Sequence, residues 1–368
     1  MKKIIILFCT LLALTGCNHG TTTKSFTQWC QDKSTLSQRT RNTIEALLKE
    51  ARTQDCRKAN QKLRQMKELA LFDLGGKIGD LEPLAPLTNV KILYLSGVDR
   101  VTDLQPLANL TNLTKLSISG DRINDLQPLA NLTKLNELRI SGDRINDLKP
   151  LANLTKLNEL DINGNNISDI TAISNLTNLT TLRLDGNKIS DLKPISNLNN
   201  LTFLSLDGNK ISDIKPLSNL TNLTTLYINS ISDRNQLTDL KPISNLTNLT
   251  TLNLKGNQIS NIEPLENLTQ LTELDLENNQ ISNLKPLAYL TNLTKLELAN
   301  NDISNVNPLF SLKNLTSLKL GENKISDVEA LSVLTNLNKL GLAFNPIENK
   351  TCPVQPESVC NFEELIIL

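Results

Sequence analysis

Two identical stretches, LDGNKISD, run from Leu184 to Asp191 and from Leu206 to Asp213. Each gathers two aspartates, an asparagine, a lysine and a serine around a glycine, residue types that can hold a metal ion or a phosphate. A calcium loop places its glycine after three oxygen ligands, and D-G-N lacks that order. A second group is acidic: Glu273, Asp275 and Glu277 alternate along one segment, and Glu297 follows in the next. Carboxylates about 7 Å apart on one strand face suit acid and base roles in hydrolysis. Such roles need dry surroundings to raise one pKa, and an open surface keeps carboxylates wet. The one histidine, His19, stands near the N-terminus, and no Gly-x-Ser-x-Gly or phosphate-loop motif occurs. Neither catalysis, nor a bound metal, nor a cofactor is expected.

The elements that carry these residues repeat. From Met66 the pattern L-x-x-L-x-L-x-x-N-x-I-x-D-L-x-P-L-x-x-L-T-N recurs, with units starting at Met66, Val90, Leu113, Leu135, Leu157, Leu179, Leu201, Leu223, Leu249, Leu271, Leu293, Leu315 and Leu337. In the unit at Leu179, apolar residues at Leu182, Leu184, Ile189, Leu192, Ile195 and Leu198 fit neither a continuous helix nor a continuous strand. A coil of short segments, each turning one side inward, fits instead. The L-x-L portion alternates as a strand, so one face enters a core and the other faces out. No unit buries its apolar side chains alone, but stacked neighbours do, and the open ends need caps.

Within this coil Asn187 and Asn209 fall ninth in their units, where the chain turns and an amide can donate to and accept from inward-pointing backbone. Gly186 and Gly208 suit a tight turn, and Pro194 and Pro216 sit where no donor is needed. Asp121 and Asp143 replace the asparagine, and an ionised aspartate cannot donate, so the early ladder should be looser. Arg122 and Arg144 follow them as partners for those carboxylates. The unit at Leu223 carries four extra residues, Ile231 to Arg234, an insertion that maps to a loop on one rim.

The repeat resembles the leucine-rich repeat family, in the 22-residue bacterial form of the internalins, from Met66 to about Ile347. The fold expected is an α/β solenoid, a horseshoe with a parallel concave β-sheet, 3₁₀ or extended segments on the convex side and a helical N-terminal cap. Residues 26–65 form that cap, 66–347 the thirteen strand units and 348–368 a C-terminal cap. Ile44, Leu47, Leu48 and Ala51 fall at helical spacing after a serine, and a second helix starts at Asp55.

The N-terminus reads as an export signal. Met1-Lys2-Lys3 precedes an apolar run from Ile4 to Leu14, too short to span a bilayer. The run ends in Leu14-Thr15-Gly16-Cys17, which resembles the bacterial lipobox. That resemblance implies a signal over residues 1–16, lipid on Cys17 and a tether over 17–25, hence a membrane-anchored protein outside the cytoplasm. Several acyl chains anchor stably where one is marginal. Cys30, Cys56, Cys352 and Cys360 remain, an even set for an oxidising compartment. Thirteen strands at ~4.8 Å separate the two ends by roughly 58 Å, whereas a disulfide needs Cα atoms within about 7 Å. The pairs are therefore Cys30 with Cys56 and Cys352 with Cys360.

The 38 basic and 38 acidic residues balance, so no global field selects nucleic acid. The concave face, built from the third, fifth and seventh residues of each unit, is mostly small and polar. Aromatic residues make up 3% of the chain, so Phe203 and Tyr227, outward on adjacent strands beside the insertion, stand out. With Arg183, Asp207, Asp233 and Arg234 they form the candidate contact set, since a few aromatic and arginine anchors dominate interfaces. Tyr94 stands apart. The reading that follows is a monomeric, lipid-anchored binder of a protein or glycan, and the internalin resemblance implies adhesion. The rival readings are an envelope spacer with no ligand and a hydrolase acting through Glu273, Asp275 and Glu297.

Overall fold

The structure, a computed structural model, describes residues 24–72, 75–230 and 235–363. Residues 1–16, Cys17 and most of the tether lie outside the described residues, as do Asp233 and Arg234. Three helices open the chain: α1 (Phe26–Gln31), α2 (Gln38–Glu50) and α3 (Cys56–Leu63). Ser25, Ser37 and Asp55 cap them, each side chain accepting from the first turn's backbone N–H groups. Phe26, Ile44, Leu47, Leu48, Ala59 and Leu63 are buried and join the core of the first strand. This closes an edge that would otherwise be wet. Cys30 and Cys56 tie α1 to α3 with Cα atoms 5.6 Å apart.

The body is one parallel sheet. Its first four strands are five residues long: β1 (Glu68–Phe72), β2 (Ile92–Ser96), β3 (Lys115–Ser119) and β4 (Glu137–Ser141). The next nine are three long: β5 (Glu159–Asp161), β6 (Thr181–Arg183), β7 (Phe203–Ser205), β8 (Thr225–Tyr227), β9 (Thr251–Asn253), β10 (Glu273–Asp275), β11 (Lys295–Glu297), β12 (Ser317–Lys319) and β13 (Lys339–Gly341). A further strand, β14 (Cys360–Asn361), pairs with β13 from within the C-terminal cap, so the sheet has fourteen strands in sequence order. The second disulfide, Cys352 with Cys360, holds that last strand in place, its Cα atoms 5.6 Å apart. The apolar rows expected from the repeat are buried throughout, Leu179, Leu182, Leu184, Ile189, Ile195 and Leu198 each at 0% exposure.

Short 3₁₀ turns form the convex side, such as Lys193–Ile195 and Lys215–Leu217, each with proline in its first two residues. An aspartate, or an asparagine in three of the coils, stands two residues before the turn and caps it, as Asp191 Oδ1 accepts from Lys193 N at 2.9 Å and Asp213 Oδ1 from Lys215 N at 2.9 Å. The second aspartate of LDGNKISD is thus a turn cap.

Asparagine stitches the coils. Asn209 Oδ1 accepts from Ile189 N at 3.0 Å, and its Nδ2 donates to Leu184 O at 2.9 Å and Leu206 O at 3.0 Å. One side chain satisfies backbone groups of two coils. The acceptor bond recurs from Asn165 to Asn345, and both donor bonds accompany it at Asn187, Asn257, Asn279, Asn301, Asn323 and Asn345. Asn235 takes this place in its unit, so the insertion is absorbed before it. Two further ladders run alongside, Asn200 Nδ2 donating to Thr177 O at 2.8 Å and Thr202 Oγ1 to Thr180 O at 3.1 Å. They account for the recurring L-T-N-L-T.

Where asparagine is missing, the coil differs. Asp121 and Asp143 are exposed, Asp143 pairing with Arg144 at 3.3 Å, and the sheet continues for two more residues at each of these strands. From Gly164 onward, except at Ser230, the eighth residue takes a positive φ, 65° at Gly186 and 61° at Gly208, and the chain leaves the sheet early. A carboxylate cannot donate to the two inward carbonyls, so nothing draws the corner in. Replacing Asn209 with alanine should cost about 3 kcal/mol in chemical denaturation, because buried partners in two coils are left unmatched. Asp143→Asn, at an exposed corner, should shift stability by no more than about 0.5 kcal/mol.

Candidate functional site

The parallel register puts Arg183, Ser205 and Tyr227 in one row across β6, β7 and β8, and Thr181, Phe203 and Thr225 in the adjacent row. Ser205 is small and 5% exposed, so the larger side chains on either side lean over it toward Phe203. The Arg183 guanidinium carbon lies 4.1 Å from the Phe203 ring centroid, and the Phe203 and Tyr227 rings are 5.7 Å apart at 53°. This is a continuous cation–π and tilted aromatic stack. Glu159 steadies its far end, with Oε1 2.7 Å from Arg139 and 3.6 Å from Arg183. Three of the sequence-selected residues are therefore linked, Phe203 touching both Arg183 and Tyr227.

Asp207 is a different case. The sequence reading puts Asp207 in the contact set, but it and Asp185, its counterpart one coil earlier, are both half-buried and hydrogen-bonded to the next coil. Asp185 Oδ1 accepts from Asp207 N at 2.9 Å and from Ser205 Oγ at 2.5 Å. Asp207 accepts from Asn229 N at 2.7 Å and Asn229 Nδ2 at 2.9 Å. A seventh-place carboxylate is close enough to the next strand's N–H to capture it, a contact between coils that one unit's pattern does not reveal. Burial, with Asp185 nearby, pushes the Asp207 carboxyl up to about 6, against the pull of the Asn229 bonds.

Beyond Tyr227 the surface dips into a hollow walled by Thr251, Asn253, Glu273, Asp275, Lys295 and Glu297. Here the expectation of a wet acidic patch holds for Glu273, which is exposed, and is corrected for Glu297 and Asp275. Glu297 is 3% exposed, and its Oε2 lies 2.9 Å from Lys319 Nζ, with Lys295 3.7 Å from Oε1. Glu277 pairs with Lys255 at 2.6 Å. Burial raises the Asp275 carboxyl, assisted by Glu277 and Glu297. The neighbouring strands and long lysine stems supply the dryness. Two of these carboxylates are thus held by lysines, while no ion pair holds Glu273 or Asp275 among the described residues. No group of three or more histidine, cysteine, aspartate or glutamate side chains is placed to hold a metal there either.

Toward the N-terminus, Lys115 Nζ lies 5.7 Å from the Tyr94 ring centroid and 2.5 Å from Glu137. Phe72, 70% exposed at the end of β1 and seventh in the unit from Met66, is a concave aromatic the sequence reading passes over.

A fourteen-strand parallel sheet wound coil on coil, with 3₁₀ turns behind and an aromatic cluster on its open face, defines a leucine-rich repeat solenoid. The model for "Leucine Rich repeats (2 copies)" matches overlapping segments from residue 155 to 333. The crystal structure of internalin InlF from Listeria monocytogenes superposes with a TM-score of 0.77 at 34% identity, over 87% of this chain and 93% of that one. A leucine-rich repeat protein of Leptospira interrogans matches with a TM-score of 0.68 at 26% identity, over 83% of this chain and 86% of that one. The TLR13 chain of a TLR13–ssRNA13 complex matches with a TM-score of 0.61 at 27% identity, over 77% of this chain but 44% of that one. A comparison with curated proteins returns no match. The chain belongs to the leucine-rich repeat family, in its internalin-like form. Proteins of this fold are typically binding scaffolds, not catalysts.

Asp207 titrates from about 6 in the folded protein against 3.8 when unfolded. Its contribution is fully present below the lower value and is lost as pH rises through the higher one. Asparagine already fills this place at Asn163 and Asn229. Asp207→Asn should therefore flatten the fall in stability from pH 4 to pH 7, read as the denaturation midpoint against pH, and leave pH 7 stability equal or higher.

Proposed function

We propose that this protein binds a protein partner on its concave face, outside the cytoplasm, while lipid on Cys17 holds it at a membrane. The observation that carries the reading is the Arg183–Phe203–Tyr227 stack on a sheet lined mostly by small polar side chains and paired charges. Arginine and aromatic anchors of this kind supply most of an interface's energy. Phe203 and Tyr227 are the proposed hot spots, Arg183 the charged neighbour, and Asp233 and Arg234 the rim contacts. Asp207 serves as a support that fixes the strand beside them.

The adjacent hollow gives the partner's chemistry. Glu273 and Asp275 stand beside the Tyr227 ring, a setting that favours a lysine or arginine side chain over a phosphate. A protein presenting a basic residue next to an apolar one fits this surface better than a nucleic acid or an uncharged glycan. Internalin InlF is similar over nearly its whole chain, which supports the adhesive version of this function. The even cysteine set and the Leu14-Thr15-Gly16-Cys17 stretch support export and anchoring.

Affinity capture from surface and envelope extracts tests the contact. The wild type should retain one dominant partner, and Phe203→Ala with Tyr227→Ala should cut retention at least about thirtyfold, a hot-spot loss. Equal retention by both would remove the cluster from the site. Labelling cells with a radioactive fatty acid should mark the wild type and leave Cys17→Ala unlabelled.

A further inference from the structure

The convex side carries a departure from the repeat that the concave reading does not use. In seven successive units, from Leu113 to Leu249, the eighteenth and nineteenth places read Ala, Ser or Glu and then Asn, as in Ala130-Asn131 and Ser196-Asn197. The next three units break this together with Tyr289, Phe310 and Val333. They are 63%, 58% and 44% exposed. In the same three coils the 3₁₀ turn lengthens to five residues, Lys285–Tyr289, Asn307–Ser311 and Glu329–Val333. Of the five large exposed apolar side chains among the described residues, all but Phe72 and Phe344 lie in these three adjacent coils.

We propose that this patch joins two copies of the chain through a twofold axis along the coil direction, passing over Phe310. Charge placement selects that occupant. The fifteenth residues read Lys285, Asn307 and Glu329 across the three coils, and neither Lys285 nor Glu329 has an ion-pair partner among the described residues. Rotation about the axis exchanges the outer coils and keeps each residue in its row. Lys285 then meets Glu329 of the second copy twice over, Tyr289 meets Val333, and Phe310 meets Phe310. The surface is complementary to itself, as an isologous contact requires. Lys313, the one charge on the axis row between Asn307 and Asn314, lies at the rim where its stem turns to solvent. Two convex surfaces touch over only a few coils, so the interface falls at the small end, below about 1,200 Å², and the dimer is weak.

The array supplies the test substitutions, since other coils already tolerate them. Sedimentation velocity of the full chain over a wide concentration range should show reversible dimerisation. Tyr289→Asn, Phe310→Ser and Val333→Asn together should weaken it at least about tenfold while leaving the circular dichroism spectrum unchanged. Glu329→Lys alone should weaken it, and combining it with Lys285→Glu should restore it. A chain that stays monomeric at every concentration overturns the proposal, as does dimerisation untouched by the triple change. Failure of the charge swap to restore association overturns the twofold arrangement. Binding of a monomeric chain to phosphatidylcholine vesicles, lost in the triple variant, would assign the patch to a lipid surface and equally overturn it.

Discussion

Every coil of this protein has to turn a corner inside its own core, and a buried backbone group without a partner there costs about 1–3 kcal/mol, enough to offset the burial of a leucine. The ninth-place asparagine resolves that conflict. Its amide is the one short side chain that accepts from one N–H and donates to two carbonyls, as Asn209 does for Ile189, Leu184 and Leu206. The early exit from the sheet accompanies it. Where it is absent, near Asp121 and Asp143, the strands stay longer and the corner opens to solvent.

That constraint also sets what the concave face has to work with. Three-residue strands leave few outward positions per coil, and the seventh is drawn into hydrogen bonds between coils at Asp185 and Asp207. What remains for recognition is the third and fifth rows. On those rows the small Ser205 between Arg183 and Tyr227 lets three large side chains converge, while Glu297 and Lys319 neutralise each other beneath the neighbouring hollow. Shape at this surface comes from the contrast between a few large residues and many small ones.

Much of this was legible in the sequence, because a solenoid makes spatial neighbours out of residues one period apart. The strands, the apolar rows, the helical cap, both disulfides and the contact among Arg183, Phe203 and Tyr227 follow from counting. What did not follow depends on direction instead of position. Whether Asp207 points to solvent or to the N–H of Asn229 is decided by a neighbouring backbone, and the same holds for Glu297, whose dryness comes from strands on either side. The strand at Cys360 was missed because only two residues pair, and no repeat pattern marks them.

The insertion between Ser230 and Asn235 has a further consequence. Asn235 takes up the corner bonds to Ile211 N and Asn229 O that an uninterrupted unit would make, so the array recognises its asparagine by where it stands and not by how many residues precede it. Chain length ahead of that asparagine is consequently free to drift while its corner bonds stay in register. A lineage could insert, delete or rewrite residues between β8 and Asn235 one step at a time on an unchanged pattern of coils.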